Sequence, residues 1–237
     1  MIRYFNLLML LSIAVLFACD EEPILEENEL VYSFDFKESV QQWSAGFADY
    51  PVGEEDFYEL DTSWTTLPFP LNQTKESFMI EGNNHSDDLF MFIKRKITGL
   101  DTLTRYKVNF YVEFASNYPE SFAGIGGSPG SSVYLKAGVT LEEPLTSQEE
   151  GMWQMNIDKG NQAEGGADVL VLGHIGTSRE DEQYDLVRRS NAEDQRFEFT
   201  TNQKGEAWLI IGTDSGFEGK TRLYYNRIKV SFSEVEA

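Results

Sequence analysis

The chain has 237 residues, and its 40 acidic against 19 basic side chains give a formal charge of −21. A phosphate backbone needs a basic footprint, so this composition argues against nucleic acid as a partner. Apolar residues make up 41% and charged residues 25%, which suits a packed globular core and is too apolar for a disordered acidic chain.

The N-terminus carries one positive charge, Arg3, and then an apolar stretch from Leu7 to Ala18 broken only by Ser12. The stretch is shorter than the roughly 20 residues a membrane span needs and has the form of a secretory signal. Leu16-Phe17-Ala18-Cys19 resembles the lipobox of bacterial lipoproteins, which implies removal of residues 1–18 and acylation of Cys19. Cys19 is the single cysteine, so no internal disulfide can form, and acylation gives an otherwise unpaired exported thiol a role. Two or three acyl chains, at about 0.8 kcal/mol per buried methylene, hold a soluble domain at a membrane where one chain would be marginal. Residues 19–29 are expected to be a lipidated, extended acidic tether reaching at most about 33 Å. Acidic residues directly after a lipidated cysteine also resemble the signal that sends some Gram-negative lipoproteins to the outer surface. The expected location is the outer membrane; the acidic stretch reads either as an address for the cell surface or as a solvated linker that carries none, and residues 30–237 are expected to form a single domain.

From Leu30 onward, short β-branched and aromatic runs alternate with Gly, Asn, Asp and Ser clusters. Tyr32, Phe34 and Phe36 alternate first, and Phe57 to Leu60 and Phe78 to Ile80 add short strands. Leu89 to Ile93 is apolar on both faces. Tyr106, Val108, Phe110, Val112 and Phe114 give a clear period of two, hence a strand with one buried face. Val133, Leu135, Ala137 and Val139 repeat the pattern, as do Trp153, Met155 and Ile157. Val169 to Leu172 is apolar on both faces. Ser178 to Arg189 suits either a short charged helix or a loop. Phe197 and Phe199 alternate, Ala207 to Ile211 is apolar on both faces, and Tyr224, Ile228, Val230 and Phe232 are expected on one face of the last strand. About eleven strands without an internal repeat predict an all-β, two-sheet antiparallel β-sandwich, a jelly roll with long loops.

Phe34-Asp35-Phe36 followed by Trp43, Ile97-Thr98-Gly99-Leu100 leading into the Tyr106 strand, and Leu223-Tyr224-Tyr225-Asn226-Arg227-Ile228 resemble the opening, middle and closing strands of carbohydrate-binding-module jelly rolls of the galactose-binding-like kind. The chain looks like bacterial exported lipoproteins carrying such a domain. The resemblance implies glycan binding. Asn226 stands where the closing strand of such modules often carries Asp, so an inherited calcium site does not follow.

No catalytic motif stands out. The glycines at 124–130 form a turn, and the phosphate-loop-like run ending at Lys220-Thr221 places Asp214 where a glycine is required. The two histidines, His85 and His174, have no metal-ligand spacing, and His174 is expected to be a hydrogen-bonded residue near a strand end. Asp158, Asn161 and Asp168 lie in one glycine-containing loop, with oxygens of the kind calcium takes. Trp43 is expected to plug the sandwich end, Trp153 and Trp208 to be core, and Trp64, among polar neighbours, to be free for sugar stacking. The polar loops supply the other candidates. Asn83, Asn84, His85, Asp87 and Asp88 precede one apolar strand, Asp158, Lys159 and Asn161 follow another, and Asp214 ends a third. Amides and carboxylates match sugar hydroxyls, and loops from one end of a sandwich can converge on a ligand. The expectation is a membrane-anchored, non-catalytic glycan-binding lipoprotein. A glycan-active hydrolase or lyase, and a subunit docking an envelope protein, are the alternatives.

Overall fold

A computed structural model describes residues 24–26, 29–86, 88–191 and 195–235. The leader, Cys19 and Asp87 lie outside the described residues. Among those described, every regular element is a strand. In chain order these are β1 (Ile24–Glu26), β2 (Glu29–Asp35), β3 (Ser44–Ala48), β4 (Tyr50–Pro51), β5 (Asp61–Thr66) and β6 (Glu76–Asn83). The longer β7 (Leu89–Ile97), β8 (Arg105–Ser116) and β9 (Val133–Thr140) follow, then the hairpin β10 (Thr146–Glu149) and β11 (Met152–Met155). β12 (Val169–His174), β13 (Asp185–Ser190) and β14 (Phe197–Thr200) lead to β15 (Ala207–Ser215) and β16 (Lys220–Glu234).

Two antiparallel sheets pack face to face, as the alternation requires. β16 is the spine of the first: one edge pairs with β6 and then β2, the other with β8, whose far edge carries β13 and β14. The second sheet runs β12-β9-β15-β7-β3. Their inner faces share one core, built from Phe34, Phe110, Phe114, Ile228 and Val230 on one side and Met91, Ile93, Leu135 and Leu209 on the other. Trp43 plugs this core with its ring edge-on to Phe34 and Phe36.

The structure differs from the sequence expectations at several elements. Residues 57–60 form a turn, closed by the Tyr58 amide on the Glu54 carbonyl, and the strand begins only at Asp61. Ser178 to Arg189 holds no helix: a loop leads into β13, which pairs with β8. β1 pairs with β2 ahead of the expected boundary at Leu30, inside the stretch read as a tether. In β16 the pairing with β8 shifts between Tyr225 and Arg227. The extra residue reverses the phase of the pleat, so Leu223 and Tyr225 face the core while Tyr224 packs on the opposite side with Leu67, Met79 and Ala115.

The second sheet is covered on its outer face as well. β10, β11 and β4 form a three-stranded sheet, and Met155 and Ile157 pack on Phe90, Phe92, Val169 and Ile210. This cover is why β7 and β15 read as apolar on both faces. Phe90 and Phe92 lie nearly parallel, ring centres 5.7 Å apart, flat against backbone that must lack a Cβ. A Cβ on Gly212 would lie 2.6 Å from the Phe90 ring, and one on Gly46 would lie 2.4 Å from Phe92. Because Phe90 is fully buried and has nowhere to move, Gly212→Ala is expected to cost about 1–3 kcal/mol through overpacking. Thermal melts should show a loss that Phe90→Leu in the same chain partly restores. An unchanged melting temperature in Gly212→Ala would contradict this packing.

Candidate functional site

The apolar cover ends where the second sheet meets the loop after β11. Asp214 and Lys136 project from the outer face of β15 and β9, and both side chains are 0% exposed. Isolated charges at such depth are untenable, so they must be paired and hydrogen-bonded. Asp214 Oδ2 accepts from Lys136 Nζ at 2.8 Å, Lys159 Nζ at 2.9 Å and the Gln162 amide at 3.1 Å. The remaining protons of Lys136 go to the carbonyls of Lys159 at 2.8 Å and Glu164 at 2.9 Å. Lys159 in turn reaches Asp49 Oδ2 at 2.9 Å. Asp49 sits in the turn between β3 and β4 with φ of 64°, a left-handed conformation that Asp tolerates.

The loop carrying Lys159 is shaped by its own carboxylates. Asp158 accepts from the amides of Gly160 at 3.1 Å and Ala167 at 2.9 Å, and Asp168 accepts from the Asp158 amide at 2.8 Å. These oxygens of Asp158 and Asp168, two of the residues expected to offer ligands to calcium together with Asn161, are engaged by the loop's own backbone amides. Among the described residues no group of three or more His, Cys, Asp or Glu side chains is placed to hold a metal ion.

Beside this network lies an open cavity of about 340 Å³, lined by Asp49, Asp88, Gln154, Met155, Lys159 and Asn161 among others. Burial pushes the Asp88 carboxyl up to about 6, and the negative charge of Asp49 adds to the shift while Lys159 opposes it. Asp88 also lies within hydrogen-bond reach of the Asp214 carboxyl, so its protonated form is favoured there. Burial likewise raises Asp49 against the pull of Lys159. For Lys136, burial outweighs Asp214 and lowers the ammonium. Burial works against the Lys159 charge too, but Asp214 and Asp49 together raise it.

Of the residues expected to bind ligand, the fold brings together Asp88, Asp158, Lys159, Asn161 and Asp214. Asp214 is a correction: it is sealed beneath the loop and its charge anchors two lysines, so it supports the pocket from below. Asn84 is a second correction. It is 2% exposed and donates to the carbonyls of Ser215 and Phe217 at 2.9 Å each, which ties two loops together. Asn83 donates to Glu59 at 2.8 Å. His85 stacks on Phe57 with ring centres 4.0 Å apart, away from the pocket lining. Trp64 is 46% exposed, as expected, but stands on β5 at the edge of the other sheet, its Nε1 donating to the Phe36 carbonyl at 2.7 Å. Trp208 is not core: it is half-buried on the outer face, with the Lys94 ammonium 5.6 Å from the ring centre. Trp153 is half-buried at the core margin, donating to Glu55 at 3.1 Å. His174 ends β12, and its Nδ1 accepts from the Gly176 amide at 3.1 Å, in keeping with the reading of the sequence.

Sequence reasoning missed Asp49, Gln154 and Lys136. The Val133 to Val139 alternation does place Lys136 on the outer face, but nothing local says that this face is covered. A second cavity, about 410 Å³, opens between Val139–Glu142 and Phe197–Thr200. The Glu198 carboxylate there is already paired with Arg105 and Arg196.

No protein-family model and no curated protein sequence matches the chain. Solved structures resemble it at low identity. The xylan-binding domain of a Paenibacillus barcinonensis xylanase matches with 12% identity and a TM-score of 0.37, over 87% of this chain and 94% of that one. A sugar-binding protein of Bacteroides thetaiotaomicron, so described provisionally, matches with 11% identity and a TM-score of 0.39, over 81% of this chain and 88% of that one. Modules of a Clostridium thermocellum endo-1,4-β-D-xylanase, solved with xylohexaose, match with 13% identity and a TM-score of 0.39 over 86% of this chain. The chain spans 28% of that enzyme structure.

Two outcomes follow from the buried charges. Asp214→Ala leaves the Lys136 ammonium buried without its counter-charge, a loss of about 3–5 kcal/mol, which at about 2–4 °C per kcal/mol lowers the melting temperature by roughly 6–20 °C. Lys136→Met added to Asp214→Ala should recover part of that loss in the same melts. Asp88 is expected to set a pH dependence of the opposite kind to an ordinary paired carboxylate. Its native pKa of about 6 lies above the ordinary 3.8, so ionisation disfavours the fold; the penalty is absent below about pH 4, grows through about pH 6 and is full above. Asp88→Asn should therefore melt higher than the parent chain at pH 8 and equally at pH 4. Equal melting at both pH values would refute the assignment.

Proposed function

We propose that this chain is a non-catalytic glycan-binding module of a membrane-anchored envelope lipoprotein, and that its ligand occupies the pocket of Asp49, Asp88, Gln154, Lys159 and Asn161. The observation that carries this reading is convergence. The β3–β4 turn, the approach to β7 and the loop after β11 meet at one open cavity, presenting carboxylates and amides beside the apolar Met155 and Ile157. Sugar recognition needs that combination, an apolar patch for the C–H face and paired acceptors and donors for hydroxyls. A rigid sheet lies beneath, so the polar groups are held without a ligand. The resemblance of Leu16–Cys19 to a lipobox supports anchoring through Cys19 to the outer membrane, with the domain facing the cell surface.

One observation favours the hydrolase or lyase alternative: Asp88, a carboxyl that holds its proton to about pH 6, lies near Asp49, and pairs of unlike carboxyls can serve acid–base chemistry. A panel of polysaccharides scored for both binding and product release separates the two readings.

Asn161 is exposed and, among the described residues, it is its backbone carbonyl and not its side chain that bonds within the loop, so Asn161→Ala should weaken the best ligand of that panel about tenfold, equivalent to about 1.4 kcal/mol. Its melting temperature should stay within a degree or two. Unaltered affinity would remove the pocket from the reading. For the anchor, Cys19→Ala should release the protein from membranes into the soluble fraction with its melting curve intact, and a fatty-acid analogue should label only the parent chain.

A further inference from the structure

Among the described residues β5 pairs with β6 alone, so its other side offers backbone groups to solvent. The register decides which groups these are. Leu67 donates its amide to the Lys75 carbonyl opposite it, and hydrogen-bonded pairs alternate along an antiparallel ladder. Ser63 and Thr65 therefore also bond toward β6, while Thr62, Trp64 and Thr66 turn their amides and carbonyls outward. Asp61 Oδ1 accepts from the Thr62 amide at 2.8 Å. The Trp64 and Thr66 amides face the open edge.

Free edges ordinarily carry a deterrent to pairing, such as charge, proline or a bulge. β12 has a bulge between Val171 and Gly173, β13 carries Asp185, Arg188 and Arg189, and β14 carries Glu198. β5 has only Asp61, at its first position. From Thr62 to Thr74 no residue is charged, in a chain of charge −21 in which charged residues make up 25%. The same stretch leaves Trp64 46% and Phe69 76% exposed. Two copies of so acidic a chain repel each other over most of their surface, and this stretch is a place where they do not.

We propose that two copies of this chain associate by antiparallel pairing of β5 with β5 about Trp64, joining their first sheets into one continuous sheet. The strand is its own complement. Thr62-Ser63-Trp64-Thr65-Thr66 places hydroxyl residues symmetrically on either side of the tryptophan. A two-fold axis at Trp64 sets Thr62 of one copy opposite Thr66 of the other, Ser63 opposite Thr65, and Trp64 opposite Trp64. Each outward amide then meets an outward carbonyl, hydroxyls meet hydroxyls, and the two exposed indole rings lie side by side on one face. Asp61 falls opposite the uncharged Leu67, so the two Asp61 carboxylates stand about 20 Å apart along the ladder, beyond the screening length of about 8–10 Å. A two-fold contact of one edge with itself closes, so the product is a dimer and not a fibre. The association does not depend on which ligand the pocket takes.

The test uses the whole exported chain in one mild detergent and reads its mass by light scattering. One strand pair and two rings bury an area at the low end for specific interfaces, so dissociation is followed from about 300 μM down to about 1 μM. The parent chain is expected to pass from dimer to monomer over that range. Thr62 and Thr66 are both exposed, so two double variants probe the register without touching the core. Thr62→Lys with Thr66→Lys sets like charges opposite each other twice and should leave only monomer, although it lowers the net negative charge. Thr62→Glu with Thr66→Lys sets opposite charges across the same two pairs and should restore the dimer. In the parent chain, the Trp64 and Thr66 amides should exchange with deuterium at least tenfold more slowly in the concentrated sample than in the dilute one, a readout that needs no variant. A parent chain that is monomeric throughout would overturn the proposal. So would a dimer that survives the two lysines, which would place the interface elsewhere, or a Glu/Lys variant that stays monomeric, which would exclude the pairing about Trp64.

Discussion

Oδ2 of Asp214 accepts three hydrogen bonds, from two lysines and one amide, at a point with no exposure to solvent. Every feature of the site depends on it. Lys136 lies on the outer face of a sheet, where an ammonium group would ordinarily point into water, and it is buried only because residues 158–168 fold over it. That loop stays down because its own backbone supplies two of the acceptors for Lys136 and its own Lys159 reaches the same carboxylate. A buried pair of this kind adds little net stability over an apolar substitute, since desolvation offsets most of the attraction. Its effect is on arrangement: the sheet, the loop and the β3–β4 turn have few other ways to satisfy five charges at once.

The second sheet shows how far a sandwich can depart from one wet and one dry face. Phe90, Phe92 and Ile210 face away from the central core, and a three-stranded sheet with Met155 and Ile157 closes over them. Glycines at 46 and 212 let the rings lie on the backbone. The pocket opens at the margin of this cover, where apolar packing gives way to charge, so that one cavity has both an apolar wall and a polar one.

Parts of this were legible locally. The polar density of the loops singled out Asp88, Asp158, Lys159 and Asn161, and their convergence follows from the strands that carry them. Asp49 was not legible, because it stands between Ala48 and Tyr50 in a run with neither charge density nor motif, and only its left-handed turn directs it toward Lys159. Trp208 was misread for a related reason. Its strand is apolar on both faces, which says that both faces are covered and not which residue meets the cover and which meets a lysine. Tyr224 was placed on the wrong face because one bulge residue, Asn226, reverses the pleat, and a period-of-two reading carries no marker for an inserted residue.

The amino-acid order by itself determined the strands with strong alternation, the antiparallel sandwich they build, and the loops in which polar groups gather. Those properties depend on neighbours within a few residues, through pleat geometry and turn chemistry. The tertiary structure alone decided which charges are buried. Asp214 and Lys136 are 78 positions apart in the chain, and the same two residues on an uncovered sheet would be solvated surface. Burial is a property of what lies above a side chain, and here that is a loop whose own position depends on the charges it covers.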